Sequence, residues 1–177
     1  GREGQPRAER AEATMTWCVT VVHAEASCGG CHPVEGMAGG ARDAGALVVL
    51  DCVTSLAGRP VELDAWGIDA AYSGTQKCLS CAPGLSPISF SDKALEVVKN
   101  RKTPVTSWFL DLNLVMGYWG EGQTRAYHHT APVNALYGLH EALVVLQEEG
   151  LEASWQRHTT NHMALRAGIE AMGMSFV

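Results

Sequence analysis

The fold of this chain is decided by the run Ala46-Leu47-Val48-Val49-Leu50-Asp51, in which five apolar residues lead directly to an aspartate. A short, continuous apolar run predicts a strand that is buried on both faces, as the strands of parallel sheets usually are. Asp51 then stands at the carboxyl end of this strand. Open α/β sheets bind their ligands beyond that edge, so Asp51 is a candidate functional residue.

Three further strands are predicted around this run, at residues 17–22, 68–72 and 86–90, which are short and apolar. Residues 34–44 predict a helix, and residues 23–33 predict a loop because they contain adjacent glycines and a proline. Strands that are separated by helices or long crossovers predict an α/β fold with a mostly parallel, doubly wound sheet that is flanked by helices.

The second half of the chain is predicted to be helical. Ser91 and Asp92 cap a helix that continues to about Asn100, and residues 107–117 predict another. Two apolar stripes at helical spacing then predict two long helices on either side of Gly150. The stripes are Val133, Leu136, Leu139, Leu143 and Leu146, and Leu151, Trp155, His162, Leu165, Ile169 and Met172.

The composition excludes several classes of protein. Of the 177 residues, 46% are hydrophobic and 18% are charged, which is typical of a globular domain. The net charge of -6 provides no basic field for nucleic acid, and the apolar runs are too short for a membrane span. The six cysteines are expected to be reduced thiols. We expect a cytoplasmic protein, or a peroxisomal or mitochondrial one in a eukaryote.

A lysine follows the third predicted strand in the run Tyr72-Ser73-Gly74-Thr75-Gln76-Lys77, 26 positions after Asp51. A lysine amine can bond covalently to the aldehyde of pyridoxal 5'-phosphate. A carboxylate beside the ring nitrogen of that cofactor keeps the nitrogen protonated, so that the ring can accept electrons. Either residue alone is more often a solvated lysine or a strand-end cap, but the pair favours this cofactor. The neighbours of Lys77 predict apolar surroundings, which suit a reactive amine, and they are Ala71, Cys78 and Leu79.

Several runs between residue 23 and the end of the chain match one family in the same order. They are His23-Ala24-Glu25, Leu50-Asp51-Cys52-Val53-Thr54-Ser55-Leu56, Tyr72-Ser73-Gly74-Thr75-Gln76-Lys77, Pro83-Gly84, Ser89-Phe90-Ser91-Asp92, Arg101-Lys102-Thr103 and Tyr127-His128-His129-Thr130-Ala131-Pro132. On these runs the chain resembles the class V, fold-type I aminotransferases. Within them it is most similar to the branch of the alanine–glyoxylate and serine–pyruvate aminotransferases.

The resemblance implies a transferase that uses pyridoxal 5'-phosphate to move an amino group from alanine or serine to glyoxylate or pyruvate. It implies that Lys77 carries the cofactor, Asp51 pairs with the ring nitrogen and Val53 packs against the ring. It further implies a homodimer with shared active sites. The residues that match phosphate contacts are Gln76 for the chain's own cofactor, and Tyr127 and Thr130 for the cofactor of the neighbouring subunit.

The resemblance also implies a domain division. We expect residues 1–15 to be a poorly ordered lead-in and residues 16–150 to be part of the large, cofactor-binding domain. Residues 151–177 are expected to be a linker helix and the start of a C-terminal domain. The family's glycine-rich phosphate loop and its substrate-binding arginine have no match here, and Ala26 replaces a serine or threonine that contacts the cofactor ring. The alternative is therefore a catalytically incomplete fragment or remnant that keeps the fold and the dimer surface.

The cysteines provide a third hypothesis. The run Cys28-Gly29-Gly30-Cys31-His32 matches the attachment pattern of a c-type haem, and together with Cys78 and Cys81 it could form a zinc site. Both pairs fall inside loops that the aminotransferase pattern accounts for, so we expect neither zinc nor haem. His158 and His162 are spaced for a metal site on a helix, but no acidic partner accompanies them.

Overall fold

The computed structural model describes residues 17–119 and 126–176, and the lead-in expected at residues 1–15 lies outside these ranges. In chain order the elements are β1 (Cys18–Val22), β2 (Ala24–Glu25), β3 (Gly30–Cys31), α1 (Val34–Asp43), β4 (Leu47–Asp51), α2 (Leu63–Trp66), β5 (Ala70–Tyr72), β6 (Ile88–Phe90), α3 (Asp92–Lys99), α4 (Leu112–Trp119), α5 (Val133–Glu149) and α6 (Leu151–Ala171).

The main sheet has the strand order β1-β4-β5-β6. β4 pairs in parallel with β1 and β5, whereas β6 runs antiparallel to β5. The predicted α/β fold with a mostly parallel sheet is therefore confirmed. β4 lies between two strands. Its residues Val48 and Leu50, on one face, are fully buried, whereas Leu47 and Val49, on the other face, are half-buried, so the burial predicted for both faces is complete on one face only. Because Val22, Asp51 and Tyr72 are register partners, the carboxyl ends of the three parallel strands meet at one edge.

The buried carboxylate of Asp69 links the sheet, at the end opposite Asp51, to the start of α3. The Asp69 side chain accepts a hydrogen bond from the Val48 backbone N–H at 2.9 Å and another from the Ser91 hydroxyl at 3.1 Å. Lys93 lies 3.3 Å away and completes the group with an ion pair. Ser91 also accepts the Ala94 N–H at 3.1 Å, which confirms the predicted cap of α3.

Two local predictions are wrong, and one element was missed. The loop predicted at residues 23–33 contains the hairpin of β2 and β3, which closes because Gly29 adopts a φ of 71°. The short helix α2 was not predicted. The helix predicted at 107–117 instead begins at Leu112, because the Asp111 carboxylate accepts the Asn113 N–H at 3.0 Å and caps it there.

The two predicted long helices are confirmed as α5 and α6, and Gly150 separates them with a φ of 87°. The first turns of α6 pack on the sheet domain, where the buried Ser154 hydroxyl donates to the Ala57 carbonyl at 2.8 Å. No helix in the described ranges is long and apolar enough to cross a membrane.

Candidate active site

The Asp51 carboxylate lies half-buried at the carboxyl edge of the sheet and is held at both oxygens. Its Oδ1 accepts the backbone N–H of Val53 at 2.9 Å, and its Oδ2 accepts the hydroxyl of Tyr72 at 2.8 Å. A carboxylate has about four lone-pair directions, so a further donor can still bind. This arrangement suits a protonated ring nitrogen, and the half-buried Val53 lies two residues further along the chain.

Tyr72 is a site residue that the sequence analysis did not single out. It is the register partner of Asp51 on β5, and its hydroxyl reaches across the edge of the sheet to the carboxylate. The hydrogen bond to Asp51 raises the pKa of the Tyr72 phenol, so the phenol stays protonated and remains a donor. The available signal was its place as the last residue of the third predicted strand, in the same run as Lys77.

The loop that carries Lys77 is closed by hydrogen bonds at its base. The Ser73 N–H donates to the Pro87 carbonyl at 2.9 Å, and the buried Thr75 hydroxyl donates to the Ala82 carbonyl at 2.7 Å. The Ser80 N–H donates to the Lys77 carbonyl at 2.9 Å, so the backbone at the lysine is part of a turn. This loop leaves β5 at the same sheet edge at which Asp51 ends β4.

The Lys77 side chain itself is exposed, so the apolar surroundings predicted for it are wrong for this chain by itself. Ala71 and Leu79 are buried in the domain and Cys78 is half-buried, but none of them encloses the lysine. Among the described residues no hydrogen bond or ion pair engages its amine. Gln76 is also exposed, and its amide lies over Gly74, where an added Cβ would meet Oε1 at 2.9 Å.

A cavity of about 380 Å³ opens between the β2–β3 hairpin and α6. It is lined by neighbours of the predicted cofactor residues, including Thr54, which follows Val53, and Cys78, which follows Lys77. Ala26, which replaces the family's hydroxyl residue, also lines it. Asp51 and Lys77 do not themselves line it, so this cavity adjoins the predicted site rather than containing it.

Gly58 allows α6 and the Lys77 loop to approach each other closely. A Cβ at this position would lie 2.5 Å from the sulfur of Cys78 and 3.4 Å from the ring of His158. His158 is oriented by its Nδ1, which lies 2.8 Å from the Ser154 carbonyl and donates to it. Any side chain at Gly58 would therefore press on the residue next to Lys77.

Tyr127 and Thr130 are hydrogen-bonded to each other, and among the described residues no hydrogen bond joins either of them to Asp51. Their hydroxyls are 2.5 Å from each other and both side chains are exposed. Between them His128 is buried, with its ring 4.1 Å from the ring of Trp108 and its Nε2 donating to the Trp108 carbonyl at 3.0 Å. His128 thus anchors the segment, while the two hydroxyls face outward and reach no other predicted cofactor residue of their own chain.

A second cavity and the metal-ligating side chains offer no further site among the described residues. A larger cavity of about 640 Å³ lies between β6, α3 and α4, and no predicted site residue lines it. Within residues 17–119 and 126–176, no group of three or more His, Cys, Asp or Glu side chains is arranged to hold a metal ion.

Comparison with known proteins identifies the family. Residues 2–175 match the model of the family described as aminotransferase class-V. Over 155 residues the chain is 41% identical to the alanine–glyoxylate aminotransferase of Callithrix jacchus, a match that covers 87% of this chain and 37% of the relative. It is 37% identical over 174 residues to the (S)-ureidoglycine–glyoxylate transaminase of Bacillus subtilis (strain 168), covering 88% of this chain and 41% of the relative.

A solved structure agrees with this assignment. The alanine–glyoxylate aminotransferase of Nostoc sp. superposes with a TM-score of 0.87 at 46% identity, covering 94% of this chain and 44% of that one. The chain thus spans less than half the length of each of these three relatives.

Proposed function

Because this chain belongs to the class-V aminotransferase family, we propose that its protein catalyses a transamination that depends on pyridoxal 5'-phosphate. The amino group passes from alanine or serine to glyoxylate or pyruvate. Support for small substrates comes from the relatives, two of which are named alanine–glyoxylate aminotransferase and one of which is named (S)-ureidoglycine–glyoxylate transaminase.

The single observation that carries this proposal is the Asp51 carboxylate, which is oriented by two donors at the carboxyl edge of the sheet. When bound, the cofactor supplies an electron-accepting ring, and a carboxylate at its ring nitrogen strengthens that property. Asp51 would take this role, and Val53 would pack against the ring. Gln76 would contact the phosphate.

Lys77 would perform the chemistry on the substrate. Its amine would bond to the cofactor aldehyde with loss of water. The amine of Lys77 would also take the proton from the α-carbon of the bound substrate as a general base and later return a proton as a general acid.

We further propose a homodimer in which Tyr127 and Thr130 of one subunit contact the phosphate of the cofactor in the other. Their hydroxyls face outward, and their own chain offers them no cofactor residue. Hydroxyl groups that donate to a phosphate make charge-assisted hydrogen bonds, which are stronger than bonds between neutral groups.

The second candidate is a catalytically incomplete form that keeps the fold and the dimer surface. Two observations favour it: Ala26 has no hydroxyl for the cofactor ring, and Lys77 is exposed. In this form the chain would bind the cofactor weakly and would not turn over.

Borohydride reduction in the presence of pyridoxal 5'-phosphate, followed by peptide mapping, tests the proposal. We expect label on Lys77 and none on the control lysines Lys93, Lys99 and Lys102. Label on a control lysine instead would refute the assignment. Label on Lys77 without transamination of alanine and glyoxylate would favour the catalytically incomplete form.

A further inference from the structure

The Asp51 carboxylate is held by donors from two separate segments. Val53 belongs to the turn that follows β4, whereas Tyr72 ends the neighbouring strand β5. The donor distances are 2.9 Å to Oδ1 and 2.8 Å to Oδ2. With one donor on each oxygen, the carboxylate plane cannot rotate about the Cβ–Cγ bond without breaking a hydrogen bond.

We propose that Tyr72 is a positioning residue of the active site, and that its hydroxyl sets the plane in which Asp51 meets the cofactor's ring nitrogen. This inference rests on the proposed function. A carboxylate that is already oriented loses less freedom when a ligand binds, and this gain appears as affinity. Without the hydroxyl, the Val53 N–H would hold one oxygen only, and the plane would be free to turn.

The position of Tyr72 indicates that its hydroxyl does more than stabilise the fold. Tyr72 is 37% exposed and is the last residue of β5, so its hydroxyl is not needed to fill the core. The backbone of Tyr72 makes its own contacts, since its carbonyl accepts the Cys52 N–H at 3.0 Å. Phenylalanine would keep these contacts and the ring. Only the donor to Asp51 would be lost.

The test compares two cofactors that differ in one atom. Pyridoxal 5'-phosphate and its 1-deaza analogue, which has carbon in place of the ring nitrogen, are titrated into the unsubstituted protein and into the Tyr72→Phe variant. We expect the variant to bind pyridoxal 5'-phosphate about tenfold more weakly, as for one lost hydrogen bond to a charged group. Binding of the deaza analogue should change by less than about twofold, since no ring nitrogen is present.

Two further variants complete the design. Tyr137→Phe is the matched control, because Tyr137 is 73% exposed on α5 and its hydroxyl is not among the donors to Asp51, so this variant should bind both cofactors normally. In an Asp51→Asn background, Tyr72→Phe should cause no further loss of affinity. Circular dichroism and urea unfolding check that each variant folds. If Tyr72→Phe does not fold, Asp51→Asn must still show the selective loss, or the inference fails.

Other outcomes distinguish a failure of this inference from a failure of the proposed function. Equal weakening of both cofactors by Tyr72→Phe would indicate a structural role and overturn the inference while the proposed function stands. Unchanged binding of both cofactors would overturn it as well. Failure of the unsubstituted protein to bind pyridoxal 5'-phosphate at all would refute the inference and the proposed function together.

Discussion

Replacing Gly58 with alanine is expected to lower the free energy of unfolding by about 1–3 kcal/mol, the usual cost of overpacking a close contact. The added Cβ would lie 2.5 Å from the Cys78 sulfur and 3.2 Å from the Cys78 Cβ. The first distance is far inside van der Waals contact, so the Lys77 loop or the segment at Gly58 must shift. The backbone conformation of Gly58 itself is open to alanine, since it is not among the positive-φ residues.

A second substitution should relieve this strain. Cys78→Ala removes the sulfur and leaves the Cys78 Cβ 3.2 Å from the new methyl group, a distance that a small displacement can absorb. By itself Cys78→Ala should cost about 1 kcal/mol, because a half-buried thiol is lost. In the double variant the two effects should not add, and the coupling between them should be about 1–2 kcal/mol in favour of the pair.

Urea unfolding followed by circular dichroism measures all four proteins of this cycle. Gly39→Ala is the matched control, because Gly39 lies inside α1 with open space around its Cβ position. Alanine there should raise the free energy of unfolding by about 0.5–1 kcal/mol, since it favours the helix. A Gly58→Ala variant as stable as the parent, or a Cys78→Ala substitution that restores nothing, would refute the reasoning.

Three further predictions concern stability. Burial lowers the pKa of His23 below its ordinary value of 6.5. The free energy of unfolding should therefore fall as the pH drops below 6.5, because the unfolded chain then binds a proton that the folded chain does not. His23→Gln should flatten this pH dependence in urea-unfolding series at mildly acidic pH. Asp69→Ala should cost about 2–3 kcal/mol in thermal or urea unfolding, because the buried Val48 N–H loses its acceptor, and an unchanged midpoint would contradict this. Ser91→Ala should cost about 1 kcal/mol or more, because the Ala94 N–H loses its cap and the buried Asp69 carboxylate loses a donor, whereas Ser91→Thr, which keeps the hydroxyl, should retain most of the stability in the same assay.

Sequence patterns that act over a few residues predicted much of this structure. The apolar run before Asp51 predicted a central strand of the sheet, because a continuous apolar segment favours a strand with cover on both faces, although β4 is fully buried on one face only. Ser91 predicted the start of α3, since a cap contacts an N–H only three residues away. The runs around Asp51 and Lys77 also carried the family assignment, which the comparisons confirm. Local patterning was less reliable where glycine and turn chemistry decide, as in the β2–β3 hairpin.

What the sequence by itself determined is therefore the α/β fold, the family and the chemical character of the predicted site residues. Only the tertiary structure decided which groups meet: the hydroxyl of Tyr72 and the carboxylate of Asp51 are 21 positions apart in the chain, and the register of two parallel strands brings them to 2.8 Å. Local sequence patterns also did not predict the close approach of Gly58 to Cys78. Nor did they predict that Lys77 is exposed despite its apolar neighbours. Side-chain identity is a local property, whereas contacts and burial depend on how distant segments pack, and this is why the orientation of the site had to come from the fold.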